Sequence, residues 1–178
     1  MDFFDAVKNR RSIRKYKDRP VEPEKLRKIL DSARIAPSAR NRQPWKFIVV
    51  SDSDVKRKVY KAARNQEFVL EAPVIIAAVG YPTDYVCGNG NIAHQVDLGI
   101  VGEHIALSAS ALGLGTCWIA AFYQGKMRKA LEIPEDAHIV AIFALGYPDE
   151  MPKPLVRKPL DSIVYENKWN GDTPEWAK

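Results

Sequence analysis

From Ala93 to Leu112 the chain keeps helical spacing for twenty residues, with Gly113 as the stop. Its apolar residues (Val96, Ile100, Val101, Ile105, Leu107, Ala111, Leu112) go almost all the way round, and a helix with so little polar surface has to be buried. Glu103 and His104 interrupt it, so it does not read as a membrane span. A second segment, Pro73 to Gly80 (PVIIAAVG), is continuously apolar over the length of one strand, the pattern of a strand covered on both faces. With 178 residues, 46% hydrophobic and 28% charged, the chain is that of an ordinary globular domain large enough for one core. Cys87 and Cys117 stand thirty positions apart with no CxxC and no clustered His, which gives neither a disulfide framework nor a zinc site. Two buried thiols in a reducing cytosol are the expectation, and MDFFDAVKNRR offers no apolar core of a signal peptide. The expected location is therefore cytoplasmic.

Around these two segments the other elements fall into place. Residues 2–9 read as a short helix, and Ser12 to Tyr16 alternates as an extended segment. Pro23 opens a helix with Leu26, Ile29, Leu30 and Ala33 on one face, and Pro37 ends it. Trp45 to Ser51 reads as a strand, and Asp52 or Ser53 caps a basic helix to about Ala63. Residues 81–92 form a loop, Thr116 to Ala121 a strand, Gln124 to Leu131 a helix and Ala137 to Gly146 a strand. The proline-rich tail from Tyr147 to Lys178 has little periodicity, but Leu160, Ile163, Tyr165, Trp169 and Trp176 suggest that it lies across something apolar.

Charge is concentrated in one window. Seven cations and one anion between Lys8 and Arg19 give +6 locally against +5 for the whole chain. Arg10, Arg11, Ser12 and Arg14 can direct fork-shaped donors and a hydroxyl at one small anion, most naturally a phosphate monoester. The competing readings are a solvated basic face, or a nucleic-acid arm that lacks interleaved aromatics. Lys8, Lys15, Lys17 and Arg19 are expected to be solvated surface. Gly88-x-Gly90-x-x-Ala93 imitates a dinucleotide-binding fingerprint, but the preceding strand ends at Gly80, too early for a tight strand-to-helix turn. His94, His104 and His138 show no spacing that proposes a catalytic pair, and His104 reads as a satisfied core histidine. Without a metal motif or a proton-transfer constellation, chemistry here would have to come from a cofactor.

Four segments in order, RRSIRKY, SARIAPSARNRQPWKFIVV, ALGLGTCWIAAF and ALGYPDEMPKPLVRKPLDSIV, closely resemble the FMN-dependent nitroreductase family. The resemblance covers nearly the whole chain as one domain, 1–178. It implies an α+β, three-layer fold in which a mixed sheet is flanked by helices, and a homodimer whose C-terminal extension, 147–178, embraces the partner. It further implies FMN as cofactor, NAD(P)H as electron donor, and ping-pong two-electron reduction of a small acceptor such as a nitroaromatic, a quinone or a flavin. Neither a nucleic acid nor a membrane is an expected partner, and no metal is expected.

Residue by residue, the resemblance assigns Arg10, Arg11 and Ser12 to the FMN phosphate and ribityl chain, and Arg14 to the flavin pyrimidine edge as an electrostatic stabiliser of the reduced ring. Pro37, Ser38, Ala39 and Asn41 would reach the ring from the partner subunit. Asn65 would bond the pyrimidine edge, Ile119, Ala120 and Ala121 would pass near N5, and Arg157 with Lys158 would close on the phosphate. Phe68, Trp118 and Phe122 would line the substrate pocket, and no side chain would act as a covalent catalyst. Two positions depart from the common pattern: Phe68 stands where many members have lysine, and Ala120-Ala121 where many have Glu-Gly. The alternatives kept open are a specialised enzyme of this fold (reductive dehalogenation, or reduced flavin with oxygen), a non-catalytic FMN-binding or storage protein, and a nucleic-acid-binding module.

Overall fold

The computed structural model describes residues 2–178. In chain order the elements are α1 (Phe3–Asn9), α2 (Pro23–Arg34), β1 (Trp45–Val50), α3 (Ser53–Ala62), α4 (Phe68–Glu71), β2 (Val74–Gly80), α5 (Ala93–Ala111), β3 (Gly115–Ile119), α6 (Gln124–Leu131) and β4 (His138–Gly146). Local signals explain where several of them start. The Asp2 carboxylate accepts from the Asp5 N–H at the head of α1, and Asp52 accepts from the N–H groups of Asp54 and Val55 at the head of α3. Pro23 sits in the first turn of α2, where its missing N–H costs nothing.

The sheet order is β1-β2-β4-β3. β2 lies inside it and is buried along its whole length, as its apolar run requires. Alternate β2 residues serve two cores. Ile75, Ala77 and Val79 pack with Val59 and Ala62 of α3 and Met127 of α6, while Val74, Ile76 and Ala78 pack with Ile29 and Ala33 of α2 and Leu98, Val101 and Ile105 of α5. The result is three layers, helices on either side of one sheet, an α+β arrangement as expected.

Two expectations need correction. The sheet within one chain is antiparallel at every strand pairing rather than mixed. Parallel pairing among the described residues is confined to an isolated bridge between Ser12 and Thr116. That bridge covers the β3 edge and β1 keeps its outer edge open, so a parallel strand would have to come from outside the chain. Second, α5 is only half buried. Leu98, Val101, Ile105 and Ala109 face the core, but Val96 and Ile100 are exposed and Leu107 half-buried. The apolar residues on its outer face therefore await another surface.

After β4 the tail runs without strands, interrupted by short 3-10 turns at Leu160–Ser162 and Glu175–Ala177. It leaves Met151, Leu155, Val156, Trp169 and Trp176 exposed. Of the two thiols, Cys117 is buried as expected, whereas Cys87 is only half-buried in the 81–92 loop. Gly88 and Gly90 lie in that loop, which joins β2 to α5 but is too long for the tight strand-to-helix turn of the dinucleotide-binding kind.

Candidate functional site

The extended segment after α1 is strapped to the β3 edge, and this fixes the arginine cluster. The Ile13 N–H donates to the Thr116 carbonyl at 2.9 Å, and the Tyr16 hydroxyl donates to the carbonyls of Ile13 (2.6 Å) and Ala144 (3.2 Å). Ile13 and Tyr16 are buried in the core, whereas Arg14 and Lys15 between them are exposed. Burial pushes the Tyr16 hydroxyl far above its usual pKa, so it stays a donor. At the root of the tail, Glu150 accepts from the Arg14 N–H at 2.6 Å.

Gly115 makes the strap possible: a Cβ there would meet Ile13 Cγ1 at 2.5 Å. Gly115→Val is therefore expected to destabilise the fold by about 1–3 kcal/mol through overpacking. Chemical denaturation checks this, and an unchanged midpoint would show that the close approach is not required.

Strap and tail together enclose a pocket of roughly 440 Å³ lined by Lys8, Arg10, Arg11, Ser12, Arg14, Lys153 and Arg157, with Val7, Pro152, Pro154 and Leu155 supplying apolar wall. No carboxylate lines it. Such a donor set, with a hydroxyl and several guanidiniums around one concavity, fits a phosphate dianion. Lys8, in the last turn of α1, is exposed as expected, and its side chain also lines the pocket. Lys158 is exposed and outside the lining. Arg19 is not bare surface either, since it pairs with Glu22 at 2.9 Å and stacks over Tyr147.

On the far side of Arg14, its guanidinium carbon lies 5.9 Å from the centre of the Phe68 ring. Phe68 and Phe122 pack on the α3/α6 side of the sheet. Trp118 lies on the opposite face of β3, edge-on to Phe143 (4.8 Å, 74°) and close over Gly102 of α5. These three aromatics thus do not share one face of the strand. Ala120 and Ala121 are exposed at the end of β3, and Ile119 is buried. The Gln66 amide nitrogen donates to the Ala121 carbonyl at 3.2 Å and to the Ala63 carbonyl at 2.8 Å, tying the turn that carries Asn65 to the turn after β3.

Pro37, Ser38, Ala39 and Asn41 lie elsewhere. The Ala39 N–H donates to the buried Asp97 carboxylate near the start of α5, whereas Arg10 and Arg11 border Ala106 and Ser110 towards its end. Thirteen residues separate Asp97 from Ser110, about 20 Å at 1.5 Å per residue. Within one chain the two groups cannot touch one small ligand.

His94 and His138 form a pair that their separation of 44 residues concealed: His94 Nε2 lies 2.9 Å from His138 Nδ1. Burial, and for His94 the neighbouring His138, lowers both pKa values below the ordinary 6.5, while Asp97 pulls His94 the other way; Arg128 adds to the lowering at His138. The folded protein therefore binds fewer protons than the unfolded chain once the pH drops below about 6.5, and stability falls as pH is lowered through that value. Thermal unfolding at pH 7.5 and 5.5 should show this loss, and His138→Gln should flatten it; an equally steep slope in the variant would assign the loss to other groups.

The pattern of the Nitroreductase family matches residues 7–73 and 61–147. The chain belongs to the nitroreductase family. A relative from Methanothermobacter thermautotrophicus, whose name pairs NADH dehydrogenase with NAD(P)H nitroreductase, is 36% identical over 162 residues, covering 85% of this chain and 80% of its own. Nitroreductase family proteins of known structure are similar throughout. The one from Clostridium novyi NT is 38% identical with a TM-score of 0.81, covering 97% of each chain. That from Clostridium difficile 630 is 33% identical with a TM-score of 0.86, covering 95% of this chain and 100% of its own. The fold of this chain and the oxidoreductase class of its family thus agree with the resemblance drawn from its motifs.

Proposed function

We propose that this nitroreductase binds FMN in the strap pocket and, as a homodimer, carries two electrons from NAD(P)H to a small organic acceptor: a nitroaromatic, a quinone or a flavin. One observation carries the reading: a concave site lined by cations and Ser12, without a carboxylate. FMN, when bound, supplies the reversible two-electron chemistry; the chain supplies binding, orientation and electrostatics.

Arg10, Arg11 and Ser12 hold the phosphate, and Arg157, with Lys158 beside it, closes the mouth. Arg14 contributes a fixed cation at the pyrimidine edge, which favours negative charge there. Because Phe68 replaces the common lysine, Arg14 carries that charge with less help. Asn65 bonds the same edge, and the backbone of Ile119, Ala120 and Ala121 passes beside the reacting face.

Pro37, Ser38, Ala39 and Asn41 reach the ring from a second copy. Support for this comes from the 20 Å offset along α5, from its exposed Val96 and Ile100, and from the exposed Phe3, Phe4 and Val7 on α1. The open β1 edge and the exposed aromatic tail fit an exchange of tails across the same dimer.

Anaerobic titration of the FMN-loaded protein with NADH and with NADPH tests the proposal. Bleaching of the flavin absorbance, and its return on adding an acceptor, is the expected result. Bound FMN that neither nucleotide bleaches would instead fit a storage protein.

A further inference from the structure

The loop between α2 and β1 is buried at its ends and exposed along its middle. Ala36 and Pro44 are buried, whereas Pro37, Arg40, Asn41, Arg42 and Gln43 are exposed. Arg40, Asn41 and Gln43 all take left-handed backbone conformations, with φ of 53°, 54° and 51°. Three such residues within four positions are unfavourable for side chains that carry a Cβ, so the turn keeps its shape only where contacts impose it.

Some of those contacts lie within the loop. The Asn41 N–H donates to the Ser38 carbonyl and the Gln43 N–H to the Ser38 hydroxyl, each at 2.9 Å. Among the described residues, two side chains hydrogen-bond to the loop from elsewhere in the fold. Asp84 pairs with the Arg42 guanidinium at 2.8 Å, but both groups are exposed, and an exposed ion pair holds little. Asp97 of α5 is the other: it accepts from the Ala39 N–H at 3.0 Å and is itself only 3% exposed.

The folding of one copy does not account for a carboxylate at this depth. Asp97 Oδ2 is buried with no hydrogen-bond partner among the described residues, which costs stability. Leu98, Val101 and Ile105 of the same helix pack in the α2/α5 core, where an apolar residue in place of Asp97 would fit better. What such a residue could not do is accept the Ala39 N–H and tie the exposed turn to the rigid start of α5. That turn cannot reach the arginine pocket of its own chain, so whatever Asp97 does for a ligand it does in the site of another copy.

We infer that Asp97 is a positioning residue for the flavin site of the neighbouring copy: it fixes the Pro37–Asn41 turn on α5 in the shape that meets that copy's ring, and touches no ligand itself. The inference rests on the proposed FMN-binding dimer and names the group that keeps its cross-subunit contact in place.

Amide hydrogen exchange of the cofactor-free protein tests the hold on the loop. Asp97→Ala should speed exchange at Ala39 by about tenfold or more, the effect of losing one bond to a charged acceptor. Asp97→Asn keeps an acceptor oxygen and should stay near the unmodified rate, and Asp84→Asn should leave Ala39 unchanged. Mixed dimers of differently tagged chains then test the action across the interface, with FMN affinity read by flavin fluorescence. Arg10→Ala weakens one chain's own pocket, so the tighter-binding FMN reports on the other. Pairing an Arg10→Ala chain with an Asp97→Ala chain leaves the good pocket served by an intact loop, and affinity should be normal. Placing both changes in one chain and pairing it with an unmodified chain leaves the good pocket served by the loosened loop, and binding should weaken several-fold with a changed flavin absorbance band. The first dimer carries Asp97→Ala too, so a general folding defect would appear in both. Unchanged exchange at Ala39 in Asp97→Ala, or a loss of FMN affinity that follows the chain carrying Asp97→Ala instead of its partner, would overturn the inference. Absence of FMN binding from every dimer, unmodified ones included, with the exchange effect present, would instead count against the flavin reading.

Discussion

Phe143→Ala is expected to cost about 3–5 kcal/mol of folding stability, the largest effect of any change considered for this protein. Phe143 lies in β4, in the middle of the α2/α5 core, with no exposed surface. Truncation removes the transfer energy of a whole ring and leaves a cavity that Ile76, Leu98 and Ile105 are too constrained to fill. Trp118 suffers as well, because it stacks edge-on against that ring and rests over Gly102, where an added Cβ would come 2.0 Å from it. Denaturant titration of the variant should show a much lower midpoint, and near-ultraviolet circular dichroism should report a loosened Trp118. A loss below about 1 kcal/mol would mean that the core repacks freely around the gap.

Arg10→Ala should weaken FMN binding by an order of magnitude or more. A charge-assisted contact to a phosphate contributes about 1.5–3 kcal/mol, and 1.4 kcal/mol is a factor of ten. Arg10 borders both cavities beside the strap, and no carboxylate in the strap pocket competes for it. Arg14→Ala acts differently. Its cation lies by Phe68, so its loss should lower the flavin midpoint potential more than it lowers affinity. Fluorescence titration separates affinity from a spectroelectrochemical potential. If both variants left both quantities unchanged, the arginines would not contact the cofactor.

How much of this was legible in the sequence depended on the distance over which each signal acts. The strap could be read because apolar Ile13 and Tyr16 bracket Arg14 and Lys15 within four residues, though their burial runs in-out-out-in rather than alternating. The full burial of β2 followed from its own unbroken apolar run, and α5 was correctly read as apolar on all sides. What periodicity does not specify is the surface that covers its outer face, which Val96 and Ile100 still need. Contacts made across the fold left no local mark. The His94–His138 pair, the Glu150 carboxylate on the Arg14 N–H and the Gln66 bridge to Ala121 each join segments 44, 136 and 55 residues apart. Helix α4 has only four residues, too few for a periodic pattern to show. Lys8 is solvated, as charge runs usually are, but its place in the last turn of α1 also sets it beside the pocket, which the charge run alone does not show.

The measurement that bears most directly on the whole reading is an equilibrium titration of the purified, cofactor-stripped protein with FMN, followed by flavin fluorescence and visible absorbance. Saturable binding of one FMN per chain is expected, with Arg10→Ala displaced to at least tenfold higher FMN concentration. A protein that stays colourless and leaves FMN fluorescence unchanged, while folded by circular dichroism, would contradict it.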